Sequence, residues 1–141
     1  MAEQKSIELA EIGKVINQAR ELAMRYRDLT GRPLGITGEV AEYEAARLLG
    51  LQLATVRQAG YDAIRTTSSG THRLQVKGRC VLTKNPGQRI GSIDLDKEGD
   101  AVLLVLLDEN LQPTAVYEAA RAAVENACAR RDPKLATSAA R

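Results

Sequence analysis

Gly60-Tyr61-Asp62-Ala63-Ile64 and, after an intervening turn, Leu74-Gln75-Val76-Lys77-Gly78-Arg79 decide how this chain folds. A carboxylate opens the apolar end of the first run. An amide and a lysine stand two apart on the second. Thr67-Ser68-Ser69-Gly70 between them is a turn cluster, so the two runs read as antiparallel strands over 61–66 and 72–82. Side chains alternate along a strand, which puts Gln75 and Lys77 on one face and Leu74 and Val76 on the other. Paired this way, Asp62, Gln75 and Lys77 gather at one end of a sheet. Oxygen ligands beside an ammonium group are what metal-assisted phosphodiester cleavage requires.

Upstream, the pattern predicts a helix over 38–49 with Thr37 as its N-cap and Gly50 as its stop. Ala41, Ala45, Leu48 and Leu49 form its apolar face. At ~100° per residue, Glu42 falls just beside that face and Glu39 further round, in the first turn. A short strand over 51–56 follows. Farther back, Ile12, Val15, Ile16, Ala19, Leu22, Ala23 and Tyr26 recur at spacings of three and four, predicting a helix over 4–29. Glu11, Lys14, Arg20, Glu21 and Arg25 make its charged face. Gly31-Arg32-Pro33 ends it. Such a helix packs on its own domain or on a second copy, and the pattern does not choose.

Downstream, Ala101 to Leu107 is an unbroken apolar run that reads as a buried central strand. Asp108-Glu109-Asn110 turns the chain into a strand over 114–117, then a helix over 118–130. The expected architecture is α/β: a mixed sheet flanked by helices, with an added N-terminal helix. Residues 1–34 form that helix and a linker, 35–130 the core, and 131–141 a loose tail.

At 141 residues the chain is one domain, long enough to bury a core. It has four Tyr and no Phe or Trp, so Leu, Ile, Val and Ala must build that core. A binder of single strands that stacks bases on several aromatics is disfavoured. The net charge of +2 conceals a bias: residues 57–97 hold eight Lys or Arg against three Asp, a net of +5, which leaves −3 for the rest. A polyphosphate partner favours such an excess. Cys80 and Cys128 fit no zinc or disulfide pattern and read as reduced. The N-terminus has no apolar signal region, no run reaches transmembrane length, and a cytoplasmic location is expected. His72, the sole histidine, reads as a turn residue, and Asp94 and Asp96 as part of a solvated loop. No P-loop, dinucleotide fingerprint or Gly-x-Ser-x-Gly occurs.

With Gly38-Glu39 opening a helix, Gly60-Tyr61-Asp62-Ala63-Ile64 next, and Leu74-Gln75-Val76-Lys77-Gly78-Arg79 after it, the chain resembles the PD-(D/E)XK nuclease superfamily, the restriction-endonuclease-like fold. It looks closest to the small Holliday-junction-resolvase-like members. The resemblance covers roughly residues 35–107. It implies a site of Glu39, Asp62, Gln75 and Lys77, meeting in one polar pocket. Glu39, Asp62 and Gln75 would ligate Mg²⁺ (or Mn²⁺), and Lys77 would stabilise charge on the scissile phosphate. DNA would be the partner, with Arg79, Lys84 and Arg89 on its phosphates. The departure is Gln75, where the superfamily commonly has Asp or Glu. Active branches of the superfamily resemble the Gln-x-Lys form, but the replacement removes one negative charge from the metal site. The alternative expectation is a catalytically inactive member, a DNA-binding or protein-interaction module that dimerises through its N-terminal helix.

Overall fold

The computed structural model describes residues 2–54, 60–81 and 100–120, with side chains from Glu8 onward. Its elements are α1 (Ala2–Thr30), α2 (Thr37–Leu49), β1 (Gln52–Leu53), β2 (Ala63–Thr67), β3 (Gly70–Cys80), β4 (Ala101–Leu107) and β5 (Pro113–Ala120). The strands form one mixed sheet in the order β1-β2-β3-β4-β5. Only β3 and β4 run parallel; every other neighbouring pair is antiparallel. The architecture is therefore α/β, with two helices on a five-stranded sheet. No helix among the described residues is long and apolar enough to cross a membrane.

β4 coincides with the apolar run predicted for a central strand, and it is buried because it has a neighbour on each edge and cover on both faces. Ala101, Leu103, Val105 and Leu107 join Leu74 and Val76 of β3, and Val40, Ala41, Ala45 and Ala46 of α2, in the core. Ile16 and Ala23 of α1 belong to the same core. The β2–β3 hairpin closes on Ser68-Ser69, with Thr67 opposite Gly70 and a positive φ of 128° at Gly70. Arg65 of β2 forms a two-pronged ion pair with Glu118 of β5 at 2.8 and 3.1 Å. In a flat sheet those strands would stand roughly 14 Å apart, so the sheet is curled.

Several elements differ from the sequence pattern. The first strand is only Gln52–Leu53, and the part expected over 55–56 lies outside the described residues. β5 continues through Glu118, Ala119 and Ala120, where a helix was expected to start. Pairing with β4 overrides the helix propensity of Glu-Ala-Ala. The remainder of that expected helix lies outside the described residues. Thr37 is the first helical residue of α2 rather than its N-cap; Ile36 takes the cap position and gives no side-chain hydrogen bond. Gly50 does end the helix in a left-handed conformation, φ 66°.

α1 is rotated from its predicted orientation. Arg20, assigned to the charged face, is 6% exposed, whereas Val15 and Leu22 are 62% and 55% exposed. The Arg20 guanidinium forms an ion pair with Glu44 of α2, itself buried, and Arg47 binds the other Glu44 oxygen at 2.6 Å. Arg20 also donates to the Leu111 carbonyl at 3.0 Å and to Asn17 at 2.8 Å. Leu111 sits at a positive φ of 62° with its side chain in the core. Burial there offsets the ~1–2 kcal/mol a left-handed L-residue costs.

α2 lies close on the sheet because β3 carries no side chain at Gly78. A Cβ there would stand 2.6 Å from Ala41 Cβ and 3.0 Å from the Thr37 carbonyl oxygen. Both obstacles are rigid. Gly78→Ala is expected to lower unfolding free energy by about 1–3 kcal/mol, read as a shift in urea midpoint at unchanged slope. A midpoint within error of the parent would show that α2 sits farther from β3.

Candidate active site

Asp62 immediately precedes β2 and is tied to both neighbouring strands. Its N–H donates to the Leu74 carbonyl at 2.8 Å, and its carbonyl accepts from Ala54 N–H at 2.9 Å. Its Oδ2 accepts the Val76 N–H of β3 at 2.8 Å. A side-chain oxygen thus serves as the acceptor for a β3 amide where the regular β2–β3 pairing, which begins at Ala63, has ended. That bond holds the carboxylate at the end of the hairpin.

α2 brings a second acid to it. Glu42 stands beside Asp62. Burial, the Asp62 charge and the Glu39 charge together push the Glu42 carboxyl up to about 7. Burial is the largest cause: the group is half-buried beside the sheet, where its ionised form loses hydration. Glu39 is exposed, one helical turn from Glu42 on the same side. Near neutral pH, Glu42 is therefore partly protonated beside the Asp62 carboxyl. Glu39, Glu42 and Asp62 are the acids that the fold brings together. Among the described residues, no three His, Cys, Asp or Glu side chains surround a point where a metal ion could sit.

Gln75 and Lys77 lie elsewhere on β3 and do not join these acids, contrary to the single polar pocket of Glu39, Asp62, Gln75 and Lys77 that the resemblance implies. Leu74 and Val76 point into the core and Gly78 faces α2, so alternation sets Gln75, Lys77 and Arg79 on the opposite face of the sheet. Val76, whose amide Asp62 holds, separates Gln75 from Lys77. Gln75 is buried, at 7% exposure, among neighbours that include Val102, its partner on β4. Lys77 and Arg79 are half-buried. Among the described residues neither forms an ion pair, and Arg79 Nε is buried without a hydrogen-bond partner. Arg73, on that same face, is engaged: it lies 3.7 Å from Asp100 and 6.0 Å from the Tyr61 ring centroid. Lys84 and Arg89 fall outside the described residues, as do Asp94, Asp96 and Cys128. Cys80 ends β3, and burial raises its thiol above the usual range.

Glu42 is the residue that the motif-based reading missed. Its signal was present: it stands three positions after Glu39 and beside the apolar face of a helix that must lie on the sheet. The motif directs attention to the helix-opening acid instead. No protein-family model and no curated protein matches this chain.

The raised Glu42 carboxyl has a definite sign in stability. Between about pH 4.5 and 7 the folded chain keeps a proton that the unfolded chain releases, so stability falls across that window and stays reduced above it. Glu42→Gln removes this dependence. At pH 8 the variant should be more stable than the parent by about 1–2 kcal/mol after allowance for solvent screening; at pH 4 the two should agree. Chemical denaturation at the two pH values checks this, and equal differences at both would rule out the proton on Glu42.

Proposed function

We propose that the protein is a metal-dependent nuclease of the restriction-endonuclease-like kind that hydrolyses DNA phosphodiester bonds. The observation that carries this reading is the Asp62 carboxylate, fixed against the Val76 amide with Glu42 beside it. Mg²⁺ is commonly held by one or two carboxylates, with water and substrate phosphate completing its shell. Asp62 and Glu42 supply that kind of donor set, with Glu39 near enough to act through water. Mg²⁺ or Mn²⁺ bound there would lower the pKa of a ligated water and neutralise charge on the phosphate. The pair also has a reason to take a cation, because it holds a proton near neutral pH that a divalent ion would displace.

The chain's own groups have separate tasks in this reading. Asp62 is held in place by the Val76 N–H. Glu42 must lose its proton before it can ligate. Lys77 stands on the face of β3 opposite α2, so in this reading it contacts a flanking phosphate rather than the scissile one. Arg79, with Lys84 and Arg89, contacts flanking phosphates and so fixes position rather than sequence. Glu42 replaces, from the helix, the negative charge that Gln75 does not provide.

The burial of Gln75 supports a second reading. An amide closed off from solvent is a poor metal ligand, and a nuclease fold without that ligand can persist as a DNA-binding or protein-interaction module. One set of assays separates the two. Duplex, branched and single-stranded DNA are incubated with the protein and Mg²⁺ or Mn²⁺, then with EDTA. A nuclease gives metal-dependent cleavage that falls on the order of 10²-fold or more in Asp62→Asn and Glu42→Gln. Equal cleavage by parent and Asp62→Asn would identify a contaminant. Salt-sensitive DNA binding without cleavage would establish the module.

A further inference from the structure

α1 carries two apolar stripes, and its own fold uses one. Ile16 and Ala23 are buried, with Leu9 and Ile12 packed against them. The second stripe is Val15, Ala19, Leu22, Tyr26 and Leu29, spaced alternately by four and three residues. Four of these five are exposed: Val15 62%, Leu22 55%, Tyr26 38% and Leu29 83%. Ile12, which lies between the stripes, extends the second by another step of three. An apolar series that recurs every 3.5 residues on average is the seam along which helices associate. A stripe this long left in water is unusual for a helix whose other stripe already meets its domain.

We infer that this stripe is the interface of an antiparallel homodimer, in which α1 of one copy lies along α1 of the other. Two properties of the stripe select a second copy in that orientation. The first is its internal symmetry. Reversing the helix sets Ile12 against Leu29, Val15 against Tyr26 and Ala19 against Leu22. Two of the three layers combine a small residue with a large one, as interdigitating seams favour, and the pattern maps onto itself, as a two-fold interface demands. A parallel pair would instead set Ala19 on Ala19 and Tyr26 on Tyr26, one layer underfilled and one crowded.

The second property is charge. Glu8 and Glu11 border the stripe near one end and Arg25 borders it near the other; all three are exposed. The antiparallel arrangement lays acidic end over basic end, whereas the parallel one stacks like charges. Lys14, which pairs with Glu11 at 3.0 Å, is farther from the stripe and leaves Glu8 free of that contact. The orientation of α1 needed for this is the one that the buried Arg20 enforces. The inference does not depend on the nuclease reading.

Sedimentation velocity over a concentration series is the test, using the full chain at moderate salt. The parent should show a concentration-dependent dimer. Leu22→Glu, which alters only an exposed side chain, should raise the dissociation constant about 100-fold or more with its circular dichroism and thermal midpoint as a monomer retained. Orientation is read by disulfide formation in a background with Cys80 and Cys128 replaced by Ser. A mixture of Val15→Cys and Tyr26→Cys chains should cross-link to the heterodimer, while each alone should not. A parent that stays monomeric, a dimer unaffected by Leu22→Glu, or cross-linking of Val15→Cys with itself would each overturn the proposal.

Discussion

The buried ion pair of Arg20 and Glu44 is the contact on which the rest of the arrangement depends. Neither charge has enough water around it to be stable alone, so each fixes the other in place. The pair determines how both helices are rotated. Arg20 must face inward, which turns Val15, Leu22 and Leu29 outward. Glu44 must face α1, which leaves Ala41 and Ala45 toward the sheet. Through its bond to the Leu111 carbonyl, Arg20 also anchors the turn between β4 and β5. Such a pair adds little net stability compared with apolar residues of the same volume. Its effect is on geometry, since an apolar pair would tolerate slippage that two fixed hydrogen-bonding groups do not.

From this rotation follows the position of the acids. With Ala41 against Gly78, α2 rests on β3 at a distance that no larger β3 residue would permit. Glu42, the next residue on the helix, then projects past the edge of the contact toward the start of β2. There it meets Asp62, whose own carboxylate is fixed by the Val76 amide. The carboxyl pair is thus a product of helix placement. It also has a cost: burial of Glu42 and repulsion from Asp62 and Glu39 favour the protonated form, and stability above neutral pH is lower for it. A half-buried acid beside two others is where a fold places groups for chemistry.

What could be read from the sequence, and what could not, divides by the range of the forces involved. β4 was legible because seven successive apolar residues need cover on both faces, and Gly50 because a left-handed helix end admits few residues. The hairpin at Ser68-Ser69 was legible from its turn residues and flanking strands. Arg20 was not, because periodicity assigns a guanidinium to water unless its partner is known, and Glu44 lies 24 residues away. β5 was read too short because Glu118, Ala119 and Ala120 favour helix locally, and their pairing with β4 is a long-range fact. Asp62 could be named from its motif, but its bond to Val76 and the approach of Glu42 could not. They depend on where α2 comes to rest.

Gln75 and Glu42 bear on the same quantity, the negative charge available at the end of the β2–β3 hairpin. Judged from the motif, Gln75 leaves that site one charge short. The structure changes the terms of the argument, because Gln75 is buried on the far face while a carboxyl from α2 stands against Asp62. A carboxyl with a pKa near 7 is also unlike a fixed carboxylate: it is neutral in the empty site at slightly acid pH and charged once a cation displaces its proton. Cation affinity at such a pair rises steeply with pH between about 6 and 8, whereas a pair of ordinary carboxylates would show no change there. The nuclease reading therefore shifts its weight from the strand position that the motif names to the helix position that packing supplies. The Gln-x-Lys pattern, taken alone, no longer measures how much charge the site can present.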